Sequence, residues 1–184
     1  MLLFINACVR KESRTLSLAK ALLKKMNEEY LEVKLEDEDF LKTSEEFLEK
    51  RDKLIANKDF NAPLFKNARL FASASKIVIA APYWDLSFPA SLKQYIEQIN
   101  VLGITFAYTS DGKPVGLCKA KKLYYVSAAG GPIAPTEYGY GYIKALANNF
   151  YGIKDTSLIM AKGLDVYGND PDKIMEDAIE KIEL

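Results

Sequence analysis

The run Lys76-Ile77-Val78-Ile79-Ala80-Ala81, halted by Pro82, constrains this chain more than any other segment. It is uncharged after its first residue and rich in β-branched side chains, which fits the pleated interior of a sheet. A strand with no polar face belongs in the middle of a sheet covered on both sides. Further strands are predicted at residues 2–5, 31–35, 122–127 and 156–161.

Helical patterns separate these strands. Leu16, Ala19, Leu22, Leu23 and Met26 recur at helical spacing and predict a helix over residues 15–30. Others are expected from the cap Ser44 toward Leu54, over 62–75 entered through Pro63, over 89–102, over 142–151, and over 171–182 behind the cap Asp170. The acidic run 36–39 is expected to stay in solvent. Residues 104–108 alternate, Ser110-Asp111-Gly112 turns, and 114–117 return, which predicts a small hairpin inserted at 104–117. The expected fold class is therefore α/β: a three-layer, doubly wound, five-stranded parallel sheet in the order 2-1-3-4-5, in one domain over residues 1–184.

Composition excludes several functions. Twenty-five basic residues balance 25 acidic ones, so no global field calls for nucleic acid or an anionic membrane. No apolar run is long enough to span a bilayer, and the short apolar start lacks the basic lead of a signal peptide. The chain has two cysteines and no histidine. That composition argues against a disulfide framework, a zinc site and a Ser-His-Asp hydrolase, and for a reducing cytoplasm.

Open parallel sheets bind ligands beyond the carboxyl ends of their strands. Three segments are expected there. Arg10, Ser13, Arg14 and Thr15 precede or open the first helix, where unsatisfied N–H groups and added charge suit a phosphate. Pro82, Tyr83, Trp84, Asp85 and Leu86 follow the central strand and can pack on a flat ring. Ser127, Ala128, Ala129, Gly130 and Gly131 are small enough to let a backbone approach the polar edge of that ring. Together they outline a flavin mononucleotide (FMN) site. The bland reading of each is a helix cap, a sealed core edge and a plain turn. A rival reading takes Cys8 and Arg14 as the nucleophile and clamp of a tyrosine-phosphatase loop, C-x5-R-[ST], with Asp170-Pro171 as the acid. Against it, Val9 to Ser13 contain no glycine to wrap a phosphate.

The stretch Ala81-Pro82-Tyr83-Trp84-Asp85-Leu86-Ser87-Phe88-Pro89-Ala90-Ser91-Leu92-Lys93-Gln94-Tyr95, followed by Gly103-Ile104-Thr105-Phe106-Ala107-Tyr108, resembles the FMN-dependent NADH-azoreductases. These belong among the flavodoxin-like NAD(P)H:quinone oxidoreductases, and the resemblance runs from Leu2 to the last helix. It implies a homodimer that binds FMN at the three segments. It implies hydride transfer from NADH or NADPH to a small-molecule electron acceptor, a quinone or azo compound, by a ping-pong scheme. Phe106, Tyr108 and Tyr138 would border the substrate pocket. Three departures stand out: Ala7 where serine is common, Asp85 where asparagine is frequent, and no arginine in the third segment. The alternative within flavoproteins is an electron carrier without turnover of its own, but such carriers tend to be strongly acidic.

Overall fold

Burial of the central strand on both faces dictates the architecture. The structure is a computed structural model and describes residues Met1–Leu184. In chain order the elements are β1 (Leu2–Asn6), α1 (Arg14–Met26), β2 (Tyr30–Lys34), α2 (Glu45–Ala56), α3 (Lys66–Ser73), β3 (Lys76–Ala80), α4 (Ala90–Ile99), β4 (Phe106–Tyr108), β5 (Pro114–Gly116), β6 (Lys122–Ala128), α5 (Tyr142–Leu146), β7 (Asp155–Ala161) and α6 (Pro171–Glu180). Five strands form one parallel sheet in the order β2-β1-β3-β6-β7, and β4 and β5 pair as a separate antiparallel hairpin. With the hairpin strands left out of the count, this is the expected 2-1-3-4-5 order, and the chain is α/β as read from its sequence.

Successive side chains of a strand point to opposite faces. Leu2 and Phe4 of β1 and Val78 and Ala80 of β3 face α1 and α6, where Leu18, Ala19 and Leu22 meet them. Leu3, Ile5, Ile77 and Ile79 face the other way, onto Phe71 of α3, Leu92 and Ile96 of α4 and Ile143 of α5. The two apolar layers hold every central strand at a fixed height, so the strand ends become a rigid base for loops.

Several boundaries move from their expected places. The first helix stops at Met26 rather than residue 30, because Asn27 takes the left-handed conformation (φ 52°) and its N–H donates to the Leu23 carbonyl at 3.2 Å. The segment from residue 62 opens as a 3-10 turn, Pro63–Phe65, before α3. The fifth helix starts earlier than expected. A π turn, Glu137–Gly141, leads into α5, and a second, Ala147–Tyr151, follows it. The Gly141 N–H reaching back to the Thr136 carbonyl at 2.7 Å closes the first of these wide turns.

Two local features bear on the site. Trp84 and Ser87 exchange backbone hydrogen bonds of 3.2 and 2.7 Å around Asp85 (φ 49°) and Leu86 (φ 67°). This is a tight turn with both central residues left-handed, a geometry that favours Asn-Gly. Leucine there is strained. The second feature is the hairpin's location. Chain direction reverses in α4, so β4 and β5 emerge at the amino end of the sheet, where Lys121 donates to the Ser75 carbonyl just before β3. Phe106 packs edge-on against Phe150 at 5.1 Å, and Gly116 presses on the Tyr151–Gly152 backbone, where a Cβ would sit 2.1 Å from the Gly152 nitrogen.

Leu86→Gly removes the left-handed strain, and Leu86 is exposed enough to lose little packing. After the extra chain entropy of glycine is subtracted, urea unfolding is expected to show a stability gain of about 0.5–1 kcal/mol.

Candidate functional site: a cleft at the carboxyl edge of the sheet

The first loop is shaped by Asn6, the last residue of β1. Its side-chain oxygen accepts the Cys8 N–H at 3.0 Å, and its amide donates to Glu32 at 2.8 Å, which turns the chain out of the sheet. Ser13 then caps α1, its hydroxyl accepting the Leu16 N–H at 3.2 Å. The next amides, of Arg14 and Thr15, have no partner within the helix. No acidic residue occupies the first turn, while Lys24 and Lys25 lie in the last one. The positive end of the helix dipole faces outward beside Arg10, Lys11 and Arg14, with Glu12 the one acid this loop adds to the lining.

The second and third loops are bound to each other. Tyr83 donates its N–H to the Ala128 carbonyl at 3.4 Å, continuing the ladder between β3 and β6 past the strand ends. The Tyr83 hydroxyl donates to the Pro135 carbonyl at 3.1 Å, and Ser87 donates to the Tyr138 carbonyl at 2.7 Å. The N–H groups of Asp85, Leu86, Gly130 and Gly131 donate to no acceptor in the chain.

These loops enclose a cleft of about 830 Å³. Of the site residues expected from the sequence, Arg10, Ser13, Arg14, Thr15, Pro82, Tyr83, Trp84, Ala128, Ala129 and Gly130 line it together. Asp85, Leu86 and Gly131 are exposed beside it without lining it. Tyr138 is exposed and its carbonyl accepts the Ser87 hydroxyl, but neither residue lines the cleft. One expectation needs correction. Ser127 is 1% exposed and its hydroxyl donates to the Ala81 carbonyl at 2.8 Å, so it ties two strand ends together and offers the cleft no side chain. Phe106 and Tyr108 lie on the hairpin at the amino end of the sheet, away from the cleft of their own chain.

Besides Val9, Lys11, Glu12 and Ser17 around the first segment, two lining residues on a further loop were not expected, Leu164 and Asp165. They follow β7, whose loop is laid along the third one: Gly163 donates to Gly131, Leu164 to Ala129 and Asp165 to Gly130 at 2.9, 3.3 and 2.9 Å. The rule that singled out the other loops applies equally to this strand end. Gly130 is explained by the same contact. Its φ is not positive, but a Cβ there would fall 2.1 Å from an Asp165 carboxylate oxygen.

Cys8 does not serve this cleft. It is 3% exposed, its thiol points at the Ala80 carbonyl at 3.9 Å, and burial pushes the thiol pKa up, with the Ser13 hydrogen bond only partly offsetting this. A nucleophilic cysteine requires the opposite shift. Asp170 accepts the Asp172 and Lys173 N–H groups at 3.0 and 3.1 Å and is a helix cap. A second hollow of about 560 Å³ lies between the loop after β2, α2 and α3. Its lining mixes Glu38, Asp39 and Asp59 with Lys50 and Lys66, and none of the three expected segments reaches it.

Comparison with known proteins agrees with this geometry. An FMN-dependent NADH:quinone oxidoreductase of Clostridium perfringens is 40% identical over 192 aligned residues, covering 97% of this chain and 94% of that protein. One of the same description from Clostridium beijerinckii is 49% identical over 123 residues, 66% of this chain and 61% of its own length. An azoreductase structure from Bacillus anthracis superposes with a TM-score of 0.84 at 26% identity, covering 98% of this chain and 95% of that one. A Bacillus anthracis FMN-dependent NADH-azoreductase in complex with FMN does so with a TM-score of 0.80 at 26% identity, covering 98% and 94%. The family described as having a flavodoxin-like fold matches residues 1–184, and this chain belongs to it.

Proposed function

We propose that the chain is an FMN-dependent oxidoreductase that takes a hydride from NADH or NADPH and passes it to quinones or azo compounds. The observation that carries this reading is the single cleft joining the positive end of α1, the aromatic pair Tyr83 and Trp84, and the small residues Ala128 to Gly130. Relatives with these activities support it.

The residues fit the group. The amides of Arg14 and Thr15, the Thr15 hydroxyl and the guanidinium groups of Arg10 and Arg14 suit a phosphate dianion. Trp84, partly exposed, offers an apolar wall for a flat ring, with Pro82 and Tyr83 behind it. The spare N–H groups of Asp85, Leu86, Gly130 and Gly131 are donors for the polar edge of that ring. With FMN held here, such fixed donors would favour negative charge on that edge without reorganising. When bound, FMN supplies the two-electron chemistry that no side chain here possesses. The open cleft admits the nicotinamide and the acceptor in turn, a ping-pong order.

The active form is proposed to be a homodimer. The hairpin carrying Phe106 and Tyr108 borders a cleft only if it reaches across to that of a second copy. No helix is long and apolar enough to cross a membrane. The two unpaired cysteines suit a reducing cytoplasm.

The protein as purified is expected to show flavin absorption bands at about one FMN per chain. A colourless protein that takes up no added FMN contradicts the proposal. Cys8→Ser is expected to keep NADH:quinone reductase activity within about two-fold of wild type, because a buried neutral thiol takes no part in the chemistry. Loss of activity in a variant that is folded by circular dichroism would return Cys8 to the mechanism.

A further inference from the structure

Arg14 and Asp165 form an ion pair of 2.6 Å across the cleft. Of the eight ion pairs in the chain it alone joins two of the loops that line the cleft. The backbone of Asp165 cannot withdraw, because its N–H is bonded to the Gly130 carbonyl at 2.9 Å and its neighbours are bonded to Ala129 and Gly131. Its side chain can move, being 68% exposed. One carboxylate oxygen holds Arg14, and the other lies against the bare face of Gly130.

We propose that Asp165 weakens phosphate binding at this site: it competes with the phosphate of the flavin for Arg14, so that seating the phosphate there costs the ion pair. This rests on the FMN reading above. The Arg14 guanidinium is the one lining cation with an anionic partner already in place; Arg10 and Lys11 have none. A phosphate dianion beside the α1 amides offers Arg14 more charge than one carboxylate does, and a monoanion does not. The cost falls on the phosphate alone. A flavin without phosphate makes no claim on Arg14 and leaves the pair intact.

The test compares FMN with riboflavin by quenching of flavin fluorescence on the apoprotein. In Asp165→Asn, which keeps the size of the side chain and removes its charge, FMN is expected to bind about five-fold more tightly, the scale of one exposed ion pair. Riboflavin affinity is expected to stay unchanged. In an Arg14→Ala background the Asp165→Asn gain is expected to vanish. Weaker FMN binding in Asp165→Asn would overturn the proposal and make Asp165 a support that orients Arg14. An equal gain for riboflavin would overturn it in favour of simple crowding over Gly130, and no change would overturn it outright. Wild-type protein that binds neither flavin would refute the flavin reading itself, and this inference with it. Thermal unfolding by circular dichroism confirms that each variant is folded.

Discussion

The site depends on a staggered row of backbone hydrogen bonds at the carboxyl edge of the sheet. Leu35 donates to Asn6, Ala7 to Ala80, Ala81 to Val126 and Ala129 to Ala161, at 2.9, 2.9, 3.0 and 2.9 Å. In each case the first residue beyond one strand is fastened to the next strand, at its last residue or, for Val126, two residues before it. The loops therefore leave the sheet at one level and in a set direction. Each bond contributes on the order of 1 kcal/mol net, but leaving its buried groups unpaired costs more. The register holds because each strand is packed between two apolar layers that alternate with its side chains, so a slip of one residue would exchange every buried face.

On this base the loops divide the chemistry. The first supplies positive charge from a helix end whose opening turn has no acid to cancel it. Such a local field coexists with a chain of zero net charge. The second supplies an aromatic wall on a turn whose backbone is strained at Asp85 and Leu86. Strain of that kind persists where surrounding structure enforces it, and here the Ser87–Tyr138 and Tyr83–Pro135 bonds do so. The third supplies small residues, and the loop after β7 brings in a carboxylate that, with Glu12, neutralises part of the charge of the first.

Much of this was legible in the sequence. The apolar run before Pro82 announced a central strand, and strand–helix alternation gave the sheet order. The strand-end rule located three of the four loops. Helix ends were less legible, because Asn27 and the π turns around α5 are decided by backbone conformation rather than by apolar spacing. The hairpin was read correctly as an insertion, and the family resemblance made it a pocket border in a homodimer; chain direction keeps it from the cleft of its own chain, because α4 starts at the carboxyl edge and its ten residues carry the chain about 15 Å toward the amino edge. Ser127 was misjudged because a strand's last hydroxyl points to either face, and only packing decides which. Asp165 escaped notice because a lone acid in a loop has no signature. Its meaning comes from Arg14, which lies 151 positions away.

Hydrogen–deuterium exchange of the apoprotein with and without FMN tests the central claim most directly, since it reads every loop at once. The account predicts slowed exchange on FMN addition at residues 9–17, 82–87, 128–131 and 163–166, the segments that meet at the sheet edge. Protection confined to the hollow lined by Phe40, Leu64 and Asn67, or no protection at saturating FMN, would contradict it.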